Sequence, residues 1–258
     1  MACDICGSGE YLNLWDKGRW GLEVRNVVCK GCGLIYVTPQ EGGKIYRDEL
    51  PSTETGQDVA KVWETLLDIK KDSKVLDVGC GVRGVGGYFN CRTYAIDPDW
   101  DAIKRSSIKW PHVWHECVTL EGFETDVRFD YILLIHTLEH LKSPRKALEK
   151  IRTLLKPDGK LGIEVPCAER PYDLPECKEF DGHGLNFFFQ KAHLYTFSLH
   201  SLASLLNLTG FMGVRWDFGA HLRCVAVKSS PNGEIEREDA GKVKERLLEW
   251  HNERICRS

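Results

Sequence analysis

The sequence predicts an α/β protein in which a doubly wound, mostly parallel sheet follows a small cysteine-rich β module. Three observations carry that prediction. Apolar strand-like runs alternate with helical periodicity between residues 57 and 228. The first of those runs ends in a glycine-rich turn, Gly79-x-Gly81-x-x-Gly84. Two CxxC pairs, Cys3/Cys6 and Cys29/Cys32, sit within the first forty residues.

The chain has 258 residues, enough for one full-size domain and a small module. With 35 basic against 38 acidic side chains it has no global field to hold nucleic acid or an anionic membrane. No apolar run approaches the ~18–20 residues of a membrane span. The opening Met-Ala-Cys-Asp-Ile-Cys lacks the basic flank and apolar core of a signal peptide. The 11 cysteines are an odd number and are read as reduced, in a cytoplasmic protein.

Residues 1–40 form the first unit. Tyr11 to Trp15 and Glu23 to Cys29 read as a hairpin between the CxxC pairs, with glycine after the second cysteine of each, at Gly7 and Gly33. A redox CxxC would stand alone in a βαβ unit, whereas two pairs supply four soft ligands. Cys3, Cys6, Cys29 and Cys32 are therefore expected to hold one structural zinc ion in a zinc-ribbon-like module. All four positions would be filled by protein, which leaves none for catalysis. Residues 41–56, rich in Gly, Glu, Ser and Thr, read as a linker or lid.

Residues 57–228 form the second unit. Gln57 to Ile69 is helical, with Val59, Val62, Trp63, Leu66 and Leu67 on one face. Strands are expected at Lys74–Gly79, Arg92–Asp97, Val113–Cys117, Asp130–His136 and Lys160–Val165. Pro144 to Leu155 is a helix that starts on proline and stops at Lys-Pro-Asp-Gly. Ser198 to Leu208 is another, followed by a strand pair, Phe211–Asp217 and His221–Val227, which brings the sheet to seven strands. Residues 229–258 hold a polar linker and a charged amphipathic helix, Glu236 to Arg254, suited to docking on the domain or to homo-oligomer formation.

The glycines after the first strand let a ligand approach the backbone, though they match the dinucleotide fingerprint equally well. Asp77 places a carboxylate two residues before Gly79, which suits an amine or sulfonium better than a pyrophosphate. Asp97 ends the second strand, where a carboxylate can accept from both ribose hydroxyls.

Val-Leu-Asp-Val-Gly-Cys-Gly, Ala-Ile-Asp-Pro, Phe-Asp-Tyr-Ile-Leu-Leu-Ile-His-Thr-Leu-Glu-His-Leu and Leu-Leu-Lys-Pro-Asp-Gly-Lys-Leu together resemble class I S-adenosylmethionine-dependent methyltransferases. The resemblance covers roughly Val59 to Lys228. It implies a Rossmann-like sheet with S-adenosylmethionine packed on Gly79, Cys80 and Gly81. It also implies that Asp77 lies near the methionine amine, Asp97 and Pro98 by the ribose, and His136 on the methionyl side. With the four-cysteine module in front, the chain is similar to sugar C-methyltransferases. The implied reaction is in-line methyl transfer to oxygen or carbon of a sugar-like or polyketide-like small molecule. The alternatives are an RNA 2′-O-methyltransferase, which the charge balance disfavours, and a cofactor-binding scaffold without turnover.

Catalytic candidates follow the fourth and fifth strands: His136, Glu139, His140, Glu164, Cys167, Cys177, His183, His193 and Tyr195. His136-x-x-Glu139-His140 spells an inverted zinc-protease motif, but the helix after it is too short for one. It is also similar to the Glu-x-x-Glu-His metal motif of ubiquinone-pathway and small-RNA O-methyltransferases, with His193 in the place of their later histidine. That similarity would imply a second divalent ion; the plain alternative is a packed turn. His193 is the first candidate for base or ligand, with Tyr195 orienting the acceptor.

Overall fold

The computed structural model describes residues 2–40, 55–169, 184–218 and 221–255. Most of the expected linker or lid, together with Cys177 and His183, lies outside the described residues.

Two sheets are present. The smaller contains β1 (Tyr11–Lys17), β2 (Glu23–Cys29) and β3 (Ile35–Val37). Its fourth strand, β9 (Tyr195–Thr196), comes from the far end of the chain and pairs antiparallel with β3 through Ile35↔Thr196 and Tyr36↔Tyr195. Neither β3 nor β9 is foreseen from sequence, because two or three residues are too few to show a period.

The larger sheet contains β4 (Lys74–Val78), β5 (Arg92–Asp97), β6 (Trp114–Cys117), β7 (Phe129–Ile135), β8 (Leu155–Pro166), β10 (Phe211–Phe218) and β11 (His221–Lys228). Their order is β10-β11-β8-β7-β4-β5-β6. Strands β4 to β8 are mutually parallel, and β11 runs antiparallel to both β8 and β10. The seven-stranded, mostly parallel sheet is thus present. The Lys-Pro-Asp-Gly expected to separate helix from strand is instead drawn into an irregular start of β8.

Alternation along the central strands assigns the two faces. Leu76, Val78, Ile132 and Leu134 join one core with Leu148 and Ile151 of α3 (Pro144–Leu154) and Leu202 and Leu205 of α5 (Leu199–Leu208). Val75, Tyr131 and Leu133 face the other way, onto Val59, Trp63 and Leu67 of α1 (Gly56–Leu67). Trp63 lies so close that a Cβ on Gly162 of β8 would come within 2.6 Å of its ring. Thr55 starts α1 with a reciprocal capping box to Asp58, which is why this helix begins where the sequence pattern does. Between β5 and β6, α2 (Trp100–Lys109) buries Ala102, Ile103 and Ser106.

The C-terminal helix α6 (Ala240–Ile255) packs Val243 and Leu247 onto Leu14, Val28 and Ile35 of the small sheet. It also covers Leu185 and Phe188 of the short α4 (Leu185–Phe188). It starts four residues later than its periodicity suggests, since Glu236 N–H is engaged by Ser204 Oγ at 2.7 Å. No helix among the described residues is long and apolar enough to cross a membrane.

Candidate active site

The carboxyl ends of parallel strands gather the functional side chains, as expected at the edge of an open α/β sheet. At the end of β4, Gly79 has φ +69°, and a Cβ there would lie 2.4 Å from Thr137 Oγ1. Thr137 is itself tied to the Val78 carbonyl at 2.9 Å, so the loop is fastened to the end of β7. Gly81 (φ +54°) is different: among the described residues the nearest atom to its would-be Cβ is 4.0 Å away. Open space in front of a left-handed glycine is what a backbone needs to receive a ligand. Cys80 turns its thiol into a small core with Ala95, Ile103 and Val113, so only its backbone faces that space.

Asp97 accepts from Gly81 N–H at 2.9 Å through one oxygen and from Asp99 N–H at 2.8 Å through the other. Burial pushes its carboxyl up, against those two hydrogen bonds. Pro98 beside it is exposed. Asp77, expected beside an amine, is 2% exposed and holds Gly86 N–H at 2.8 Å. Burial pushes its carboxyl up to about 6, with a further push from Asp97. Among the described residues neither carboxylate forms an ion pair with a cationic side chain. Two uncompensated carboxylates flanking an open glycine loop fit a cationic, hydroxyl-bearing ligand.

The second half of the site is a histidine–carboxylate cluster. His136 follows β7 with φ +50°, an unusual conformation for a residue with a side chain. Its Nδ1 lies 3.4 Å from Glu139 Oε1 and its Nε2 3.3 Å from Glu164 Oε1. Burial would lower its pKa, but the two carboxylates hold it up at about 10. Glu164, on β8, receives Trp63 Nε1 at 3.0 Å and Arg223 Nε at 2.9 Å on its other oxygen. Burial works against its charge, yet His136 and Arg223 keep it ionised. His221, at the start of β11, meets His136 edge to face at 4.5 Å.

Glu139 is fully buried, and among the described residues neither of its oxygens receives a hydrogen bond. Burial opposes its charge, but surrounding imidazoles hold its pKa down at about 2. His140 Nδ1 lies 2.9 Å from the Ala192 carbonyl, which fixes that nitrogen as the donor. His140 and His193 meet edge to face at 4.8 Å. Burial drives the pKa of His193 well below its ordinary value, so its imidazole is neutral. The ligand-type atoms of Glu139, His140 and His193 all lie within 4.8 Å of one another, as do those of His136, Glu164 and His221.

The structure thus brings together five of the candidates after the fourth and fifth strands, His136, Glu139, His140, Glu164 and His193. It does not bring Tyr195 with them. Tyr195 is 4% exposed, donates its hydroxyl to the Lys142 carbonyl at 3.0 Å and stacks on Phe197. Its hydroxyl ties β9 to the Lys142 carbonyl. Cys167 is buried, with its thiol 3.4 Å from Glu169 Oε2. His221 and Thr137 were missed by sequence reasoning. His221 carries no local motif, and its pairing with Pro166 across two strands is the only thing that delivers it.

The N-terminal sulphurs form a separate group. Cys6 and Cys29 Sγ are 3.4 Å apart and Cys3 and Cys32 Sγ 3.6 Å, too far for disulfides. Zn–S bonds of about 2.3 Å give a tetrahedral edge of about 3.8 Å, so the spacing suits one tetrahedral ion. Gly7 N–H to the Cys3 carbonyl and Gly33 N–H to the Cys29 carbonyl, both 2.9 Å, make two equivalent turns around it.

Comparison with known proteins matches residues 52–215 to the family described as "Methyltransferase domain". Over 109 residues the chain is 29% identical to (S)-coclaurine N-methyltransferase of Papaver somniferum, covering 38% of this chain and 31% of that protein. Over 105 residues it is 30% identical to ubiquinone biosynthesis O-methyltransferase of Glaesserella parasuis, covering 36% and 44%. The chain spans less than half the length of these curated relatives. The fold is shared with 1,6-didemethyltoxoflavin-N1-methyltransferase of Burkholderia thailandensis, solved with bound 1,6-didemethyltoxoflavin and S-adenosylhomocysteine. That match has a TM-score of 0.55 at 23% identity and covers 71% of this chain and 82% of that one. The glycine loop, the strand order and the family match converge: this chain belongs to the S-adenosylmethionine-dependent methyltransferases.

Proposed function

We propose that the chain methylates an oxygen of a small sugar-like or polyketide-like acceptor, with His193 taking the acceptor's proton. The observation that carries this reading is an imidazole held in its neutral form with a ring nitrogen within 4.8 Å of the buried Glu139 carboxylate. An oxygen nucleophile must lose a proton on transfer, and an imidazole held below its ordinary pKa is already in the accepting form. Carbon remains the second candidate atom. Relatives are named for nitrogen and for oxygen, and a neutral amine has less need of a base.

S-adenosylmethionine supplies the electrophilic methyl group when bound. Gly79 and Gly81 would receive it against the backbone, with the Asp97 carboxylate near the ribose and Asp77 offering negative charge to the amine. His136 would line its methionyl side. Glu139 keeps negative charge next to His140 and His193, which stabilises an imidazolium once the proton arrives. A second reading replaces the base with a divalent ion on Glu139, His140 and His193, favoured by the absence of any hydrogen bond to the Glu139 oxygens.

The four N-terminal cysteines are assigned to a structural zinc ion. The domain division follows: residues 1–40 as the zinc module, 57–228 as the catalytic domain and 229–258 as the tail. The test is turnover on a panel of hydroxylated acceptors, with product mass and the methylated atom read by NMR. The reading predicts O-methyl product and its loss in His193→Gln. Loss of activity in that variant, combined with inhibition by a chelator that leaves the sulphur-bound ion in place, would select the metal reading instead, and wild-type activity in it would refute both readings. Tight S-adenosylhomocysteine binding without turnover on any acceptor would refute methyl transfer.

A further inference from the structure

We propose that His136, Glu164 and His221 form a binding site for one divalent transition-metal ion, distinct from the four-cysteine group. The three residues stand at the adjacent ends of three paired strands. His136 directly follows β7, Glu164 lies in β8, and His221 begins β11, with Arg223 directly opposite Glu164. Strand ends in one sheet are rigid supports, and a site built on them is set before its ligand arrives.

The distances favour a shared ion over a simple charge pair. A charge-assisted N–H···O hydrogen bond closes to about 2.7–2.9 Å. His136 Nε2 and Glu164 Oε1 stay 3.3 Å apart. Two ligands on one tetrahedral ion, at bond lengths of about 2.0–2.1 Å, are about 3.3–3.4 Å apart. The atoms of His136, Glu164 and His221 all fall within 4.8 Å of one another, and the two imidazoles meet edge to face.

The surroundings have the form of a metal's outer shell. A ligating histidine usually donates its other ring N–H to a carboxylate. His136 turns Nδ1 toward Glu139 Oε1, which faces it at 3.4 Å without closing to a hydrogen bond, and turns Nε2 toward Glu164 and the proposed ion. Ligating carboxylates are themselves hydrogen-bonded. Here Trp63 Nε1 and Arg223 Nε both engage Glu164 Oε2, which leaves Oε1 as the ligating oxygen. Two imidazoles and one carboxylate oxygen suit zinc, cobalt, manganese or iron in the divalent state rather than calcium or magnesium. Three protein ligands also leave a position for water or an oxygen of the acceptor. That last clause rests on the proposed oxygen methylation; the metal site itself does not.

The test is metal binding by the whole chain, first loaded with zinc at the cysteines and then titrated with Co²⁺. The expected result is an equivalent that binds with weak visible bands and no thiolate charge-transfer band. His221→Asn should bind one equivalent fewer than wild type, and His193→Asn should keep it. Glu164→Gln is the confirming variant, and circular dichroism and melting show which variants are folded. If His221→Asn and the folded carboxylate variant bind as many equivalents as wild type, or if wild type binds none beyond the cysteines, the proposal fails. Should His221→Asn not fold, His136→Gln takes its place under the same criterion. A melting shift with S-adenosylhomocysteine, measured on the same samples, reports on the methyltransferase reading separately.

Discussion

The loop after β4 offers a ligand mostly backbone, and its polar groups fall between Asp77 and Asp99. The cluster at the ends of β7, β8 and β11 works with side chains brought from positions 136 to 221. The first half resists substitution wherever a Cβ cannot fit and is indifferent to most other changes. The second can lose one side chain without disturbing its strands, since each is anchored by its own ladder. Binding and chemistry should therefore separate under mutation: changes at the glycine loop act on affinity and stability, while changes in the cluster act on turnover.

The largest effect should come from His193→Gln, which removes the proposed base but keeps a polar side chain of similar reach. Turnover is expected to fall about 10²–10⁴-fold. The melting shift with S-adenosylhomocysteine should stay at its wild-type size. Loss of that shift as well would mean that the two halves are one mechanical unit.

Next come two alanines in one loop. Gly79→Ala places a Cβ 2.4 Å from Thr137 Oγ1 and 2.7 Å from its Cγ2, at φ +69°. Left-handed strain of about 1–2 kcal/mol adds to overpacking of about 1–3 kcal/mol. Gly81→Ala bears only the strain, because its Cβ would point into open space. Thermal melting should show the larger drop for Gly79→Ala. Cofactor titration should show that Gly81→Ala loses affinity out of proportion to its small drop. Equal melting losses would break the distinction between the fastened glycine and the ligand-facing one.

The same contrast explains which features are legible in the sequence. Asp77, the glycines and Asp97 are legible because strand, turn and acid lie close together in sequence, and a local rule places each at a strand end. The CxxC pairs are legible for the same reason. His136 to His140 could be picked out as a motif, but its meaning depends on Glu164 and His221, which arrive through β8 and β11. No periodicity announces that His221 will face His136, because the register of β11 on β8 decides it. The small sheet hides in a similar way. Its last strand is two residues long and joins β3 from more than 150 positions away, so the cysteine module and the segment after His193 share a framework that sequence order conceals.

Asp77→Asn tests the cofactor half by charge rather than shape. The Asp77 carboxyl sits at about 6 against an ordinary 3.8, because burial penalises its ionised form. The native state therefore holds that proton more tightly than the unfolded chain. This contribution to stability is complete below about pH 3.8 and lost as pH rises through about 6. At pH 8 the ligand-free asparagine variant should be more stable than wild type by up to about 3 kcal/mol, since 1.36 kcal/mol corresponds to each unit. Its affinity for S-adenosylhomocysteine should be lower, and flat with pH. In wild type, affinity should weaken as pH falls through about 6 and Asp77 loses its charge. Calorimetric titration between pH 5 and 8 reads both trends, and a pH-independent wild-type affinity would detach Asp77 from the amine.

The smallest effect is assigned to Tyr195→Phe, in β9 of the small sheet. The hydroxyl lies on the Lys142 carbonyl at 3.0 Å, and the residue is 4% exposed within β9. Burial pushes its pKa up to about 12, so it has no part in proton transfer near neutrality. Removing the hydroxyl gives up one hydrogen bond, about 1 kcal/mol, to the Lys142 carbonyl. For a chain of this size that corresponds to a fall of about 2–4 °C in melting temperature. Turnover at saturating acceptor should match wild type, because the ring and its stacking on Phe197 remain. A selective rise in the acceptor KM with unchanged melting would return Tyr195 to the acceptor pocket. It would also mean that β9 is part of the site rather than the joint that holds the cysteine module beside it.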